Sequence, residues 1–418
     1  MRLMSVTPIL YMQTADARGD PSRPGSTLTS KMRHSRFPPA PLGPAADGTE
    51  PPFTYDSLRR TIPRHCFERS LARSLGYLAV DLAYVVVQTL AFLWVDRRLA
   101  GYSDLLSWGL WTACFLTYTF LQGVAFTSIW VLAHECGHQA FSPSAVANDT
   151  IGFILHTMLF VPYFSWQRTH NTHHKYTNNL QKDEVFVPLV ARQETDVQQA
   201  ANLSRRGDIQ TTLQLAAMLI LGWPLYLLYN ATGHKTEGFA SHYLPSSEIF
   251  LPRDRPFVIL SNIGLLAWVA ALGAFAMLTP AGWTDILKFY LPALMVNYAF
   301  LVAITFLQHT DRTLAHFDHE DWNYLRGALS TIDRTMSPWL DRRLHHIHTT
   351  HVSHHLFSKI PFYHAGEATV ALRKALGPYY ASDFETPFLV ALFRNFRDLN
   401  YKQNTQGTFW WLETHLLD

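Results

Sequence analysis

Long apolar stretches alternate with polar segments along this chain. Four of them, Leu75–Val95, Leu105–Ala133, Phe257–Leu278 and Phe289–Gln308, are long enough to cross a bilayer as helices, which takes about 20 apolar residues. A fifth, Thr212–Tyr229, is shorter and is interrupted by Pro224. A sixth, Ile151–Phe164, is too short to cross and suits an interfacial or re-entrant segment. Residues 1–52 are rich in Pro, Ser, Gly and Ala, as in PPAPLGPAADGTEPP. Such a segment buries too little apolar area to offset its ordering entropy, so it reads as a disordered tail. Its apolar run Val6–Met12 is too short for a signal peptide, and Asp16 and Arg18 follow it. A membrane domain is expected over 53–409 and a C-terminal tail over 410–418. The predicted fold class is an all-α integral membrane protein with about four transmembrane helices, interfacial helices and a cytosolic helical cap.

Composition agrees with this pattern. Only 16% of residues are charged, against roughly a quarter in soluble domains. A net charge of +2 gives no reason to invoke nucleic acid. The three cysteines, Cys66, Cys114 and Cys136, are scattered and imply no disulfide framework.

Histidine is the unusual residue. His134 and His138, in HECGHQ, are spaced i and i+4, on one face of a helix. His170, His173 and His174 form HNTHH, and His351, His354 and His355 form HVSHH. The H-x-x-H-H spacing puts three rings on one side of a helix. These eight imidazoles exceed the three protein ligands of a catalytic zinc and suit two metal ions. Imidazole suits Zn, Cu, Fe and Ni, so ligand type does not choose the metal. His348 lies three residues before His351, and spacing leaves open whether it faces the same site. The isolated His156, His234, His242 and His364 read as structural.

One site built from the three clusters must lie on one side of the membrane. An even number of crossings then separates the first cluster from the third. The stretches at 257–278 and 289–308 supply two, so 212–229 is expected on the membrane surface or half-inserted. The loop Pro280–Asp285 has no Lys or Arg, whereas the histidine-bearing segments carry Arg168, Lys175, Lys182, Arg205, Arg206, Arg312, Arg342 and Arg343. By the positive-inside rule those segments face the cytosol.

Beyond the histidines, the chain carries IPRHCFERS (62–70), HECGHQAFS (134–142), HHKYTNNLQKDEVFVP (173–188), LRGALSTIDR (325–334) and HVSHHLFSKIPFYHA (351–365). With these motifs it resembles the membrane fatty acyl desaturases, specifically the oleate (Δ12) and ω3 acyl-lipid group of fungi and plants. The resemblance runs from about Phe53 to about Phe409. It implies a di-iron centre held by His134, His138, His170, His173, His174, His351, His354 and His355. It adds His309, in LQHT at the end of the last span, as a ninth ligand. It implies no catalytic residue beyond these ligands. It further implies O2 as co-substrate, and electrons from NADH through cytochrome b5 reductase and cytochrome b5. No H-P-G-G haem motif occurs in the sequence, so the donor is expected to be a separate protein. The implied substrate is a fatty acyl lipid, an oleoyl chain on a phospholipid, and the implied location is the endoplasmic reticulum membrane. One departure stands out: the family usually has Asp two residues before the third box, where this chain has Thr349.

The expected reaction is therefore Δ12 desaturation of oleoyl to linoleoyl chains. The same scaffold also carries ω3 desaturases, acetylenases, conjugases and hydroxylases. HECGH also fits the H-E-x-x-H of zinc proteases, with Glu135 as general base, but an intramembrane protease leaves six clustered histidines without a role. A metal-binding membrane protein without catalysis, or an inactive homologue, are the remaining readings.

Overall fold

The computed structural model describes residues 53–280, 282–405 and 408–412. The tail expected over 1–52 and the last residues, 413–418, lie outside them. After a short N-terminal helix, α1 (Tyr55–Thr61), two long helices form a hairpin, α2 (Leu71–Leu99) and α3 (Leu105–Gly137). Side-chain caps fix their starts. Ser70 Oγ accepts from the Arg73 N–H at 3.3 Å, and Asp104 Oδ1 from the Ser107 N–H at 3.0 Å.

Beyond α3 the chain makes a bent pair, α4 (Ala145–Met158) and α5 (Tyr163–Lys175), with 109° between them. Phe160 takes a left-handed φ of 55° at the break. The bend falls within the stretch Ile151–Phe164, read as interfacial or re-entrant, and it returns α5 to the end of α3. Their close approach requires Gly137: a Cβ there would lie 2.9 Å from the Trp166 ring.

Helices α6 (Glu194–Ser204), α7 (Asp208–Tyr229), α8 (Arg255–Leu278) and α9 (Leu291–His309) follow. Five helical segments among the described residues are long and apolar enough to cross a membrane, and Asp208–Tyr229 is the one beyond the four spans expected. Both of its ends touch elements around the histidines. Just before α7, Arg206 donates to the Phe396 carbonyl at 3.2 Å and to Asn400 Oδ1 at 3.3 Å. Near its other end, the Tyr226 hydroxyl donates to Thr169 Oγ1 of α5 at 3.3 Å.

The rest of the chain is a cap of short helices: α10 (Tyr324–Leu329), α11 (Pro338–Arg343), α12 (His351–Leu356), α13 (Phe362–Leu376) and α14 (Phe388–Asp398). The helical expectation omitted a small sheet of four strands, in the order β1 (Leu189–Val190), β5 (Tyr401–Thr405), β6 (Thr408–Trp411), β2 (His316–Phe317). Strand β6 continues past the boundary drawn at 409. A two-residue parallel pair, β3 (Asp333–Arg334) with β4 (Ser382–Asp383), joins two cap segments. Buried Asp81 of α2 ties the bundle to the cap through Arg343 at 2.9 Å and His345 Nε2 at 2.7 Å.

Candidate metal centre

The ends of α3 and α9 meet α5 and α12 at the junction of bundle and cap, and each brings histidines. In one group, ring nitrogens of His134, His138, His170, His174 and His354 all lie within 4.8 Å of one another. A second group, equally close, holds His173, His309 and His355. His351 joins it, with Nε2 3.1 Å from His309 Nε2. The groups abut where the rings of His174 and His355 stack at 4.1 Å. Helical spacing explains the division. His170 and His174 stand one above the other on α5 and enter the first group, while His173, between them in sequence, is turned into the second.

The donor set fits metal ions. Nε2 of His138 and His134 are 3.2 Å apart, like the His351–His309 pair at 3.1 Å. Two imidazoles on one ion at about 2.0–2.1 Å have nitrogens about 2.9–3.3 Å apart, from octahedral to tetrahedral angles. His170 Nε2, both ring nitrogens of His174, His354 Nε2 and His355 Nε2 are buried without hydrogen-bond partners, an arrangement costly unless something else satisfies them. Burial lowers the His354 pKa to about 3 and moves His351 and His355 the same way, so these rings are neutral and free to donate a lone pair.

An outer ring of side chains aims the imidazoles. Buried Asp183 lies 2.7 Å from Nδ1 of His173, which leaves Nε2 for the site. Thr177 Oγ1 lies 3.0 Å from His355 Nδ1. Glu135 Oε2 accepts from the Phe362 N–H at 3.0 Å, and its Oε1 lies 3.4 Å from His134 Nδ1. The carboxylate thus sits behind His134, on the edge away from His138, where it cannot serve as the general base of a protease. Neither Asp183 nor Thr177 was expected to have a role, although both lie in HHKYTNNLQKDEVFVP (173–188).

The spacing of His348 left its direction open, and it turns away: its Nε2 pairs with Asp341 at 2.7 Å. The Thr349 hydroxyl also turns to His346, donating to its carbonyl at 3.3 Å. Thr349 is half-buried, with Oγ1 3.1 Å from His346 Nδ1. The hydroxyl at 349 is thus held by His346, which belongs to neither histidine group. His156, His234, His242 and His364 stay outside both groups.

A cavity of about 1230 Å³ leads to the histidines. His134 and His170 of the first group and His173, His309 and His351 of the second line it, and elsewhere its wall is largely apolar, with Met218, Trp223, Leu301 and Phe306 among the residues.

Comparison with known proteins gives a consistent result. The sequence profile of the family described as "Fatty acid desaturase" matches residues 105–387. The Delta(12) fatty acid desaturase of Mortierella isabellina is 42% identical over 369 residues, 85% of this chain and 89% of that protein. The Delta(12)-fatty-acid desaturase of Arabidopsis thaliana is 40% identical, over 87% of this chain and 92% of that protein. The Oleoyl-12-hydroxylase of Ricinus communis is also 40% identical, over 88% and 92%.

Proposed function

Because this chain belongs to the fatty acid desaturase family and is an oxidoreductase, we propose that it inserts a second double bond at Δ12 of oleoyl chains carried on membrane lipids. The observation that carries the reading is the apolar cavity ending on members of both histidine groups. Removing hydrogen from an unactivated methylene is beyond any side-chain acid or base, and two iron ions with O2 supply that chemistry when bound. The ligands proposed are His134, His138, His170, His174 and His354 for one ion, and His173, His309, His351 and His355 for the other.

The protein's own contribution is orientation. Apolar walls exclude water and hold the chain so that one pair of carbons lies at the histidines, an effective-molarity effect. Asp183, Thr177 and Glu135 fix the rings from behind. In balance, two C–H bonds break and one C=C forms. The two hydrogen atoms released, together with O2, two electrons and two protons, give two waters. The electrons come from NADH through cytochrome b5 reductase and a separate cytochrome b5, which docks on the protein's basic cytosolic surface at the endoplasmic reticulum membrane. This topology has four crossings, with α7 half-inserted. The contacts of both its ends with elements around the histidines support that placement.

The hydroxylase relative attacks at the same region of the chain, so product identity is the test. The protein is expressed in a yeast that makes only monounsaturated fatty acids, and total fatty acids are analysed by mass spectrometry with double-bond derivatisation. Linoleate that disappears with His354→Ala supports the proposal. A hydroxy acid, an alkyne, a conjugated diene or an ω3 bond reassigns the product, and no new fatty acid refutes it.

A further inference from the structure

A second cluster of metal-ligand side chains lies outside the histidine centre. A short 3-10 turn, Arg64–Phe67, presents His65 and Cys66. The first turns of α13 present His364 and Glu367 at i and i+3, on one face. One donor atom from each of the four lies within 4.8 Å of every other. We propose that these residues bind a zinc-type divalent ion that staples the N-terminal segment to the cap.

The distances resemble a metal site more than a packed hydrogen-bond cluster. The Cys66 sulfur is 3.7 Å from His65 Nε2. Tetrahedral zinc, with Zn–S about 2.3 Å and Zn–N about 2.0–2.1 Å, sets sulfur and nitrogen about 3.6 Å apart. The His65 and His364 rings are edge to face at 5.4 Å. Glu367 Oε2 is 2.8 Å from His65 Nε2, a hydrogen bond that has to open by about 0.6 Å to admit an ion. Its half-exposed side chain has room to do so.

Thiolate, carboxylate and two imidazoles neutralise a dication. Of the remaining charges nearby, Arg73 lies 3.5 Å from His364 Nε2 and over the Tyr363 ring, and Glu68 offsets it. Among the described clusters of this kind, this one alone contains sulfur. Burial, with help from Glu367, pushes the Cys66 thiol up to about 11, so metal binding must release a proton.

The position gives such an ion a purpose. Cys66 is completely buried and belongs to one apolar cluster with Val352, Leu356 and Phe357, on and just after α12, which carries His354 and His355. A staple there would hold the helix that carries the third histidine cluster.

The sulfur makes the test selective. Cobalt(II) is titrated into the purified full-length chain, loaded with its iron, and sulfur-to-cobalt charge-transfer absorption is recorded. The expected result is a band at one cobalt per chain that is lost in Cys66→Ser, while iron content and elution volume are unchanged. If Cys66→Ser does not fold, His364→Ala is expected to weaken cobalt binding at the same band. No sulfur-to-cobalt band in the wild-type chain overturns the proposal. So does a band that persists in folded Cys66→Ser, or one unaffected by His364→Ala. These results do not depend on the product made, so the proposal and the Δ12 reading fail separately.

Discussion

Replacing Asp183 by Asn tests whether the outer ring of residues tunes the centre. Asp183 is completely buried. Its Oδ1 lies 2.7 Å from His173 Nδ1 and accepts from the Val185 N–H at 2.9 Å, and its Oδ2 accepts from the Asn178 N–H at 2.9 Å. A hydrogen bond to a charged group contributes about 1.5–3 kcal/mol, against about 1 kcal/mol for a neutral one. Asn therefore loses about 1–2 kcal/mol at His173. Whichever way its amide turns, an N–H meets another donor, at a further cost of about 1–3 kcal/mol. Part of this is relieved by small shifts. Losing an outer partner of a metal-ligating histidine typically lowers metal affinity or activity about 10–100-fold, which is about 1.4–2.7 kcal/mol, and the two estimates overlap. The assay is the linoleoyl-to-oleoyl ratio per amount of folded protein, with iron per chain on the same preparation. Conversion within about twofold of wild type, with unchanged iron, would refute the role of Asp183.

Other substitutions probe separate parts of the account. Gly327→Ala places a Cβ 2.3 Å from the Thr177 carbonyl oxygen and 2.7 Å from Trp322 Nε1; a backbone atom has to move, so a loss of about 1–3 kcal/mol is expected, read as a lower thermal midpoint with reduced conversion. Asp81→Ala leaves Arg343 and His345 without their buried partner; breaking such a pair costs about 3–5 kcal/mol, and the expected readout is a marked fall in folded yield. Thr349→Asp restores the residue usual in the family, yet the side chain at 349 turns to His346, which belongs to neither histidine group, so conversion within about twofold of wild type is expected; a large gain contradicts the geometry.

Much of the site was legible because the rings of each cluster lie at helical spacings, and spacing alone assigns a common face. It does not say what the face meets. The i, i+4 pair His170 and His174 was readable, but the turning of His173 into a separate group depends on α5 lying between α3 and α9. His348 has the spacing of a ligand and is drawn off by Asp341, a residue seven positions away that only the fold of α11 brings near. His309 has no neighbouring histidine in sequence and came from resemblance alone. Asp183 was visible as a residue but not as a partner, since its contact with His173 is made by a loop. Hydropathy found the long spans. It separated Asp208–Tyr229 from them only through Pro224 and length, because it measures apolar content and not depth. His364 read as structural because His65 and Cys66, which its cluster needs besides Glu367, lie some 300 positions away in sequence.

The most direct measurement is iron per folded chain, determined on purified, catalytically active protein together with double His138→Ala/His309→Ala substitution. The account predicts two irons in the wild-type chain, and loss of both iron and product in the variant, because each group loses a ligand. Less than one iron per chain in a preparation that still desaturates would contradict it, as would two irons retained by the double variant.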